Sequence, residues 1–144
     1  MASQDQWHFC QKCGVMHFAQ GPCVEGGQHE AQGLNFNLPH SIPETPFAQR
    51  GWRFCNECHG LFFDGVPGRC KAGGAHTNRG SVDFVLTHGR PEAKGTQGKW
   101  FFCKNCGLMN FGPFDGHCIV EKDPSSGIIG HDDTNSFEFN LPHT

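Results

Sequence analysis

Short apolar runs separated by turn residues recur along the whole chain. Residues 81–86 alternate apolar and polar positions with a period of two, and residues 60–63 and 100–102 are short apolar runs typical of strands. No stretch carries the period of an amphipathic helix of ordinary length. Clusters of Gly, Pro, Asn and Asp, such as residues 62–68 and 73–76, predict tight turns between the runs. The pattern therefore predicts an all-β protein.

The apolar pattern belongs to an internal repeat. Trp7, Trp52 and Trp100 each open the run Trp-x-Phe-Cys-x-x-Cys, and they lie 45 and then 48 residues apart. A repeat of that length is one supersecondary unit that needs its neighbours to close a core. We therefore expect three pseudo-symmetric β repeats packed around a threefold axis, with the Trp and Phe side chains inside. The predicted single domain spans 1–144, and its repeats span 1–48, 49–96 and 97–144.

Each copy continues in register after its Cys pair, with an aromatic residue, a third Cys, a His, a Phe-x-Leu pair and a second His. All nine cysteines are used, three in each copy. An odd number disfavours full pairing into disulfides. The aromatic residues are Phe18, Phe63 and Phe111, the Phe-x-Leu phenylalanines are Phe36, Phe84 and Phe139, and the second histidines are His40, His88 and His143.

The Cys and first His positions have the spacing of a metal site. A Cys-x-x-Cys pair followed by a third Cys and a His supplies the four ligands of a tetrahedral Cys₃His zinc site. Four protein ligands leave no place for water, so we expect three structural zinc ions that contribute to folding and carry no zinc chemistry. The candidate ligands are Cys10, Cys13, Cys23 and His29; Cys55, Cys58, Cys70 and His76; and Cys103, Cys106, Cys118 and His131.

Local details of the copies fit this interpretation. Gly14 and Gly107 directly follow the second Cys, and Gly60 lies two residues after it, which suits a knuckle turn with positive φ. Copy three carries extra residues before its His, and they predict a surface loop at 121–130. Burial of the cysteines as small hydrophobic groups does not explain a threefold ligand pattern. A redox Cys-x-x-Cys normally sits in a βαβ context, which is missing here.

The motif of copy two resembles a known family. It reads Cys-His-Gly-Leu-Phe-Phe-Asp-Gly at 58–65, then Gly-Arg-Cys-Lys-Ala-Gly-Gly-Ala-His at 68–76, then Gly-Ser at 80–81. These residues resemble the threefold repeat of the β-tripod domain, the carboxy-terminal module of bacterial insecticidal proteins that also carry a membrane attack complex/perforin domain. Copy one keeps Gly-Gly-Gln-His at 26–29 and a glycine at 33. Copy three departs most, with Gly-His at 130–131 and Asn135 in place of the second glycine.

The resemblance implies a compact three-lobed β domain with a targeting or receptor-binding role and no enzymatic activity. A separate pore-forming partner is a further hypothesis that follows from it. The family's ligand-contact positions are not carried over to this chain. The repetition of polar, Gly-rich loops favours carbohydrate or glycoprotein as the target, because weak repeated sites gain from a repetitive ligand. The three tryptophans are predicted to be core residues, since each occupies the same position beside a Phe.

Charge weighs against the main competing class, a zinc-finger-type nucleic-acid or protein interaction module. Eleven Lys and Arg against fourteen Asp and Glu give −3, and three Zn²⁺ with nine thiolates would bring the charge to −6. A nucleic-acid domain usually needs a basic face. The group Arg53, Arg69, Lys71 and Arg79 is more typical of a solvated face. No nucleophile elbow or phosphate loop is present, so an enzyme is not expected.

The remaining histidines leave two alternatives open. His40, His88 and His143 either converge near the threefold axis and hold a further metal or anion, or cap strand ends by hydrogen bonding, and we favour the second. The histidines without matching positions in the other copies are expected at the surface or around the metal ligands. These are His8, His17, His59 and His117.

Nothing in the sequence is long and apolar enough to predict a transmembrane segment, and no apolar signal region follows Met1. Thiolate-rich zinc sites fit synthesis in a reducing compartment. We therefore expect the protein to be made in the cytoplasm, and any release would use a route other than a Sec signal peptide.

Overall fold

The computed structural model describes residues 2–66, 68–114, 116–119 and 130–144. Within these residues the protein is all β and contains no helix, as the sequence predicts. In the same part of the chain there is accordingly no helix with the length and apolarity to cross a membrane. The strands are β1 (Ala2–Cys10), β2 (Met16–Phe18), β3 (Ala31–His40), β4 (Ala48–Phe54), β5 (Leu61–Phe63), β6 (Phe84–Thr87), β7 (Thr96–Phe102), β8 (Met109–Phe111) and β9 (Phe139–Pro142).

Each repeat forms an antiparallel three-stranded unit whose middle strand carries the Trp. In repeat two, Trp52 of β4 pairs with Phe63 of β5 on one side and with Phe84 of β6 on the other. Strands β1 and β7 have the same neighbours in their own repeats. The equivalent pairs are Trp7 with Phe18 and Phe36, and Trp100 with Phe111 and Phe139.

A β-bulge precedes every Trp. The residue before the Trp has a left-handed backbone in all three copies, with φ of +71° at Gln6, +91° at Gly51 and +66° at Lys99. The bulge brings a Gln three residues before each Trp into contact with the indole. In each case the indole N–H donates a 2.9 Å hydrogen bond to the Gln carbonyl oxygen. The only polar group of each core Trp is therefore satisfied. The three glutamines are Gln4, Gln49 and Gln97.

Neighbouring repeats contact each other through their second histidines and Phe-x-Leu residues. His40 of β3 pairs with Phe84 of β6, which joins repeats one and two into a six-stranded sheet with the order β2-β1-β3-β6-β4-β5. Repeat three forms the three-stranded sheet β8-β7-β9. Repeat three contacts the other two repeats through single β-bridges of the same type. His88 of repeat two pairs with Phe139, and His143 pairs with Phe36 of repeat one.

A second set of contacts joins the repeats just after the Cys pairs. In each contact, an isolated β-bridge joins the second residue after the Cys pair of one repeat to the fourth residue after the Cys pair of another repeat. One such bridge joins repeats one and two, one joins repeats two and three, and one joins repeats three and one, so the contacts are cyclic. The bridged pairs are Val15 with Asn110, Gly60 with His17, and Leu108 with Phe62.

The core is aromatic and draws on all three repeats. Trp7, Trp52 and Trp100 are completely buried, which confirms their prediction as core residues. Trp52 lies 5.5 Å from Phe63 in its own repeat and 6.1 Å from Phe102 in repeat three, measured between ring centroids. A second buried layer contains the nine cysteines together with Val15, Phe62 and Leu108.

One predicted strand is shorter in the structure than expected. The strand expected at 81–86 begins at Phe84 because the chain turns at Gly80, where φ is +79°. The Ser81 hydroxyl then accepts a 2.8 Å hydrogen bond from the Phe54 N–H. The surface loop predicted at 121–130 lies, apart from Gly130, outside the described residues.

Candidate metal centres

The structure brings together the four predicted ligand side chains of each repeat. In every set the three Sγ atoms and one imidazole nitrogen lie within 4.8 Å of one another, and all four residues are buried. The three clusters are Cys10, Cys13, Cys23 and His29; Cys55, Cys58, Cys70 and His76; and Cys103, Cys106, Cys118 and His131.

The spacing of the ligand atoms fits a tetrahedral site. The first and third Sγ atoms of the clusters are 3.9, 3.8 and 3.7 Å apart in chain order. The second Sγ lies 3.6, 3.5 and 3.5 Å from the His Nδ1. Metal–sulfur bonds of about 2.3 Å and metal–nitrogen bonds of about 2.0 Å give tetrahedral edges of about 3.8 and 3.5 Å. All nine cysteines are free thiols. Each cluster can therefore hold one metal ion.

The first part of each site is a knuckle built around the Cys pair. The N–H of the residue after the pair donates to the carbonyl of the first Cys, at 2.9 Å for Gly14, 2.8 Å for His59 and 2.8 Å for Gly107. These residues have φ of +85°, +65° and +81°. The prediction is thus confirmed for Gly14 and Gly107, whereas His59 takes this position in copy two. Gly60 does not have a positive φ; a Cβ there would lie 2.6 Å from Leu108 Cδ2, so the Leu108 side chain would have to shift to admit it.

The third Cys is presented by a turn that contains the double glycine. In copy two the Cys70 N–H donates to the Gly74 carbonyl at 2.8 Å, and the Gly73 N–H donates to the Cys70 carbonyl at 3.0 Å. Gly73 and Gly74 have φ of +107° and +69°. A Cβ at either position would meet nothing within 4 Å, so the requirement is for the backbone conformation. Copy one repeats these bonds at Cys23.

Each ligand His also binds the neighbouring repeat. Nε2 of His29 donates to the Cys58 carbonyl at 2.9 Å, Nε2 of His76 to the Cys106 carbonyl at 2.7 Å, and Nε2 of His131 to the Cys13 carbonyl at 2.9 Å. Because Nε2 makes these bonds, the Nδ1 atom of each ring faces the thiols and is the atom that can bind a metal. An outer hydrogen bond of this kind fixes the tautomer and ring orientation of a metal-ligating His. Every centre is therefore completed by the backbone of another repeat.

A glycine two residues before each third Cys is a feature that the sequence interpretation missed. A Cβ at Gly68 would lie 2.2 Å from the Cys106 carbonyl oxygen, and one at Gly116 would lie 2.1 Å from that of Cys13. At Gly21 the distance to the Cys58 carbonyl oxygen would be 2.8 Å. The signal was present as a Gly at the same offset in all three copies, but only the structure shows what it contacts.

Without metal, the thiols of one cluster strongly shift one another's pKa values. Hydrogen bonding from the second Cys, against the effect of burial, lowers the pKa of the first Cys in each cluster. In repeat one it also lowers the pKa of Cys23 to about 6. Burial alone would lower the pKa of His76 and His131, but hydrogen bonds with their thiolates raise these pKa values to about 9 and about 10. A metal ion binding there has to displace protons.

The second histidines do not join any metal cluster in the described part of the chain. Each ring instead packs on a Phe of another repeat, with centroid distances of 5.7 Å for His40 and Phe84, 5.7 Å for His88 and Phe139, and 5.9 Å for His143 and Phe36. His40 Nδ1 also hydrogen-bonds the Ser41 hydroxyl at 2.9 Å. These contacts agree with a structural role at strand ends.

Beside the metal cluster, repeat one carries a His where repeat two carries a Phe. His17 stacks on His29 with a centroid distance of 4.7 Å, where Phe62 stacks on His76 at 4.9 Å in repeat two. Its Nδ1 donates to the Ala19 carbonyl at 2.7 Å, and its buried Nε2 has no hydrogen-bond partner among the residues that the structure describes. Burial lowers the pKa of His17 to about 4. His17 is therefore a neutral side chain packed against His29, one of the candidate metal ligands.

The fold and the sites together define an all-β protein of three repeats, each with a buried Cys₃His cluster. Comparisons with protein-family models, curated proteins and solved structures found no match to this chain. Its function is therefore inferred from its own residues.

Proposed function

We propose that this protein is a non-enzymatic binding module, stabilised by three structural zinc ions, that recognises a cell-surface receptor or glycan. The closed geometry of the three clusters supports the structural, non-enzymatic part of the proposal, and the repeat motif described above supports the recognition part. Each cluster offers four buried ligand atoms at tetrahedral spacing. A site saturated by protein ligands stabilises a fold and has no open position for a substrate or a reactive water.

Zinc is the metal that suits this donor set. Three thiols and one imidazole in a tetrahedron are typical of structural zinc sites, and the carbonyl bound by each His Nε2 is the usual outer support. The nine free thiols fit our proposal that the protein is made in a reducing compartment such as the cytoplasm.

A pseudo-threefold, β-tripod-like arrangement is part of the proposal. It is supported by the cyclic contacts, in which equivalent residues of successive repeats pair at the knuckles and at the second histidines. The relation to toxin targeting domains rests on the repeat motif described above. By that relation the target is a surface receptor or glycan, with a separate pore-forming protein as a further partner.

The nucleic-acid alternative has less support. The chain carries −3 before metal, and bound zinc with ionised thiols makes it more negative. Arg53, one of the basic residues of copy two, lies 3.7 Å from the Asp64 carboxylate, which offsets its charge. A phosphate-binding face needs uncompensated basic groups.

A binding screen tests the proposal. Zinc-loaded protein is added to immobilised glycans, gut-membrane vesicles and duplex and single-stranded nucleic acids, at low and at high salt. We expect saturable binding to glycans or vesicles that changes little with salt. Tight nucleic-acid binding with a steep salt dependence would replace this function with the alternative. Absence of binding to every glycan and vesicle would contradict recognition of a surface.

A further inference from the structure

Three similar clefts lie where the repeats meet, and we call them the junction clefts. The cleft between repeats one and two has a volume of about 220 Å³, that between two and three about 150 Å³, and that between three and one about 230 Å³. Each is lined by one of the Trp-bonded glutamines and by Phe rings from two repeats. The clefts contain Gln4, Gln49 and Gln97, respectively.

The Phe rings at the three junctions have one geometry. Phe18 of repeat one and Phe54 of repeat two meet edge to face with centroids 5.9 Å apart. Phe63 and Phe102 meet at 6.0 Å between repeats two and three. Phe111 and Phe9 meet at 5.9 Å between repeats three and one. All these rings are only partly buried, so each cleft offers aromatic surface to a ligand.

The glutamines supply an unused polar group at the same place. Their carbonyl oxygens accept from Trp7, Trp52 and Trp100, which fixes the amide orientation. In the described residues no protein group accepts from the side-chain NH₂ of Gln4, Gln49 or Gln97. Each glutamine is partly exposed. Every cleft thus presents a positioned pair of hydrogen-bond donors beside an aromatic surface.

The linings are also uncharged. No Lys, Arg, Asp, Glu or His is among the described residues that line any of the three clefts, although 17% of the chain is charged. A phosphate, a carboxylate or an amine would lose its hydration there without a countercharge. The lining therefore suits a neutral ligand with one apolar face and oxygen atoms at its edge.

We propose that the junction clefts are three equivalent subsites for a neutral saccharide. The C–H face of one sugar ring packs on the Phe pair, and a hydroxyl or acetamido oxygen accepts from the Gln NH₂. The proposal rests on the binding function above and names its ligand class and its site. A small exposed subsite binds a single sugar weakly, whereas three on one rigid body bind a repetitive glycan much more tightly through avidity.

The three indole N–H groups give one NMR reporter for each cleft, because each is hydrogen-bonded to the Gln of that cleft. The zinc-loaded ¹⁵N-labelled chain is titrated with the methyl glycosides of glucose, galactose, mannose and N-acetylglucosamine. At least one glycoside is expected to shift all three indole signals and the side-chain NH₂ signals of Gln4, Gln49 and Gln97, in a saturable manner. The same sugar on a polymer is expected to bind at least about 100-fold more tightly.

Two matched variants block one cleft each. Val82 and Val66 are both 37% exposed, and they line the cleft between repeats one and two and the cleft between repeats two and three, respectively. Val82→Phe is expected to abolish the shift of the Trp7 signal alone, and Val66→Phe that of the Trp52 signal alone. Since each variant leaves the other cleft intact, each is the folding control for the other.

The possible outcomes test the proposed site and the proposed function separately. If glycans bind in the screen but no indole signal moves, or if both variants bind unchanged, the junction clefts are not the site and the binding function stands. If the indole signals respond to N-acetyl-phenylalanine amide and to no glycoside, the clefts take apolar peptide side chains and the saccharide proposal is overturned. If no glycan binds in the screen while glycosides shift the indole signals, the subsites stand and glycan targeting fails.

Discussion

At the scale of single residues, the repeat depends on positions with a left-handed backbone conformation, and only some of these positions are occupied by glycine. The bulge residue before the Trp is Gly51 in repeat two, but it is Gln6 and Lys99 in the other repeats, all with positive φ. A left-handed conformation costs a residue with a Cβ about 1–2 kcal/mol. Two of the three bulges therefore carry strain that glycine would remove.

Replacing a strained bulge residue should stabilise the protein. Lys99 is exposed, so Lys99→Gly removes little besides its Cβ. We expect the free energy of unfolding to rise by about 0.5–1 kcal/mol, because the relief of strain exceeds the entropy that glycine adds to the unfolded chain. Gly51→Ala introduces the same backbone strain and also places a Cβ 3.2 Å from Phe63 Cε1, so it should destabilise by at least as much as Lys99→Gly stabilises. Urea unfolding in zinc-containing buffer measures both, and a destabilised Lys99→Gly would contradict the account of the bulge.

The glycines before the third Cys should be sensitive for a different reason. Gly68 and Gly80 have similar φ, +65° and +79°, but a Cβ at Gly80 would meet nothing within 4 Å. At Gly68 it would lie 2.2 Å from the Cys106 carbonyl oxygen. We expect Gly80→Ala to cost about 1 kcal/mol and Gly68→Ala about 3 kcal/mol or more, because the second must also displace backbone. Equal losses in urea unfolding would show that the repeats do not approach so closely.

At the scale of the elements, each three-stranded unit is organised by one buried Trp and the Gln three residues before it. Trp52 is completely buried, and its N–H is satisfied by Gln49. An unpaired buried donor costs about 1–3 kcal/mol. The Gln-x-x-Trp spacing is thus part of the strand architecture.

Removal of the acceptor should therefore weaken the unit. We expect Gln49→Ala to lower the free energy of unfolding by about 1–3 kcal/mol, while Gln49→Glu, which keeps an acceptor oxygen, retains most of the stability. Chemical denaturation of the two variants and the parent makes the comparison. If both variants are as stable as the parent, the indole bond does not matter for the strand unit.

The elements also show how far sequence reasoning reaches. Alternation and turn residues suffice for the all-β class, and the repeated Cys and His positions suffice for the composition of each cluster. The bulge was not predicted, because its geometry depends on strand pairing that no local pattern encodes. The contacts of Gly68 and of His76 Nε2 were missed for the same reason, since both partners belong to another repeat.

At the scale of the whole molecule, the metal centres and the packing of the repeats are coupled. His29 closes cluster one and binds the knuckle of repeat two, His76 does the same toward repeat three, and His131 toward repeat one. Loss of any centre therefore releases a contact between repeats as well as a local turn.

This coupling predicts cooperative loss of structure when metal is removed. We expect titration with a strong chelator under reducing conditions to release the metal and unfold the three repeats in a single transition, because the sites do not preform in an unfolded chain. Circular dichroism reports the loss of structure in all three repeats together, and the three indole NMR signals report it for each repeat separately. Stepwise loss of one indole signal at a time would show that the repeats are independent units.

The most direct test of the central claim is the metal content of the purified chain, measured by elemental analysis together with a count of free thiols under denaturing conditions with chelator. Three buried Cys₃His clusters predict about three zinc ions and nine free thiols in each chain. Little or no metal together with missing thiols would mean that the cysteines are oxidised, and it would contradict a fold stabilised by three zinc ions.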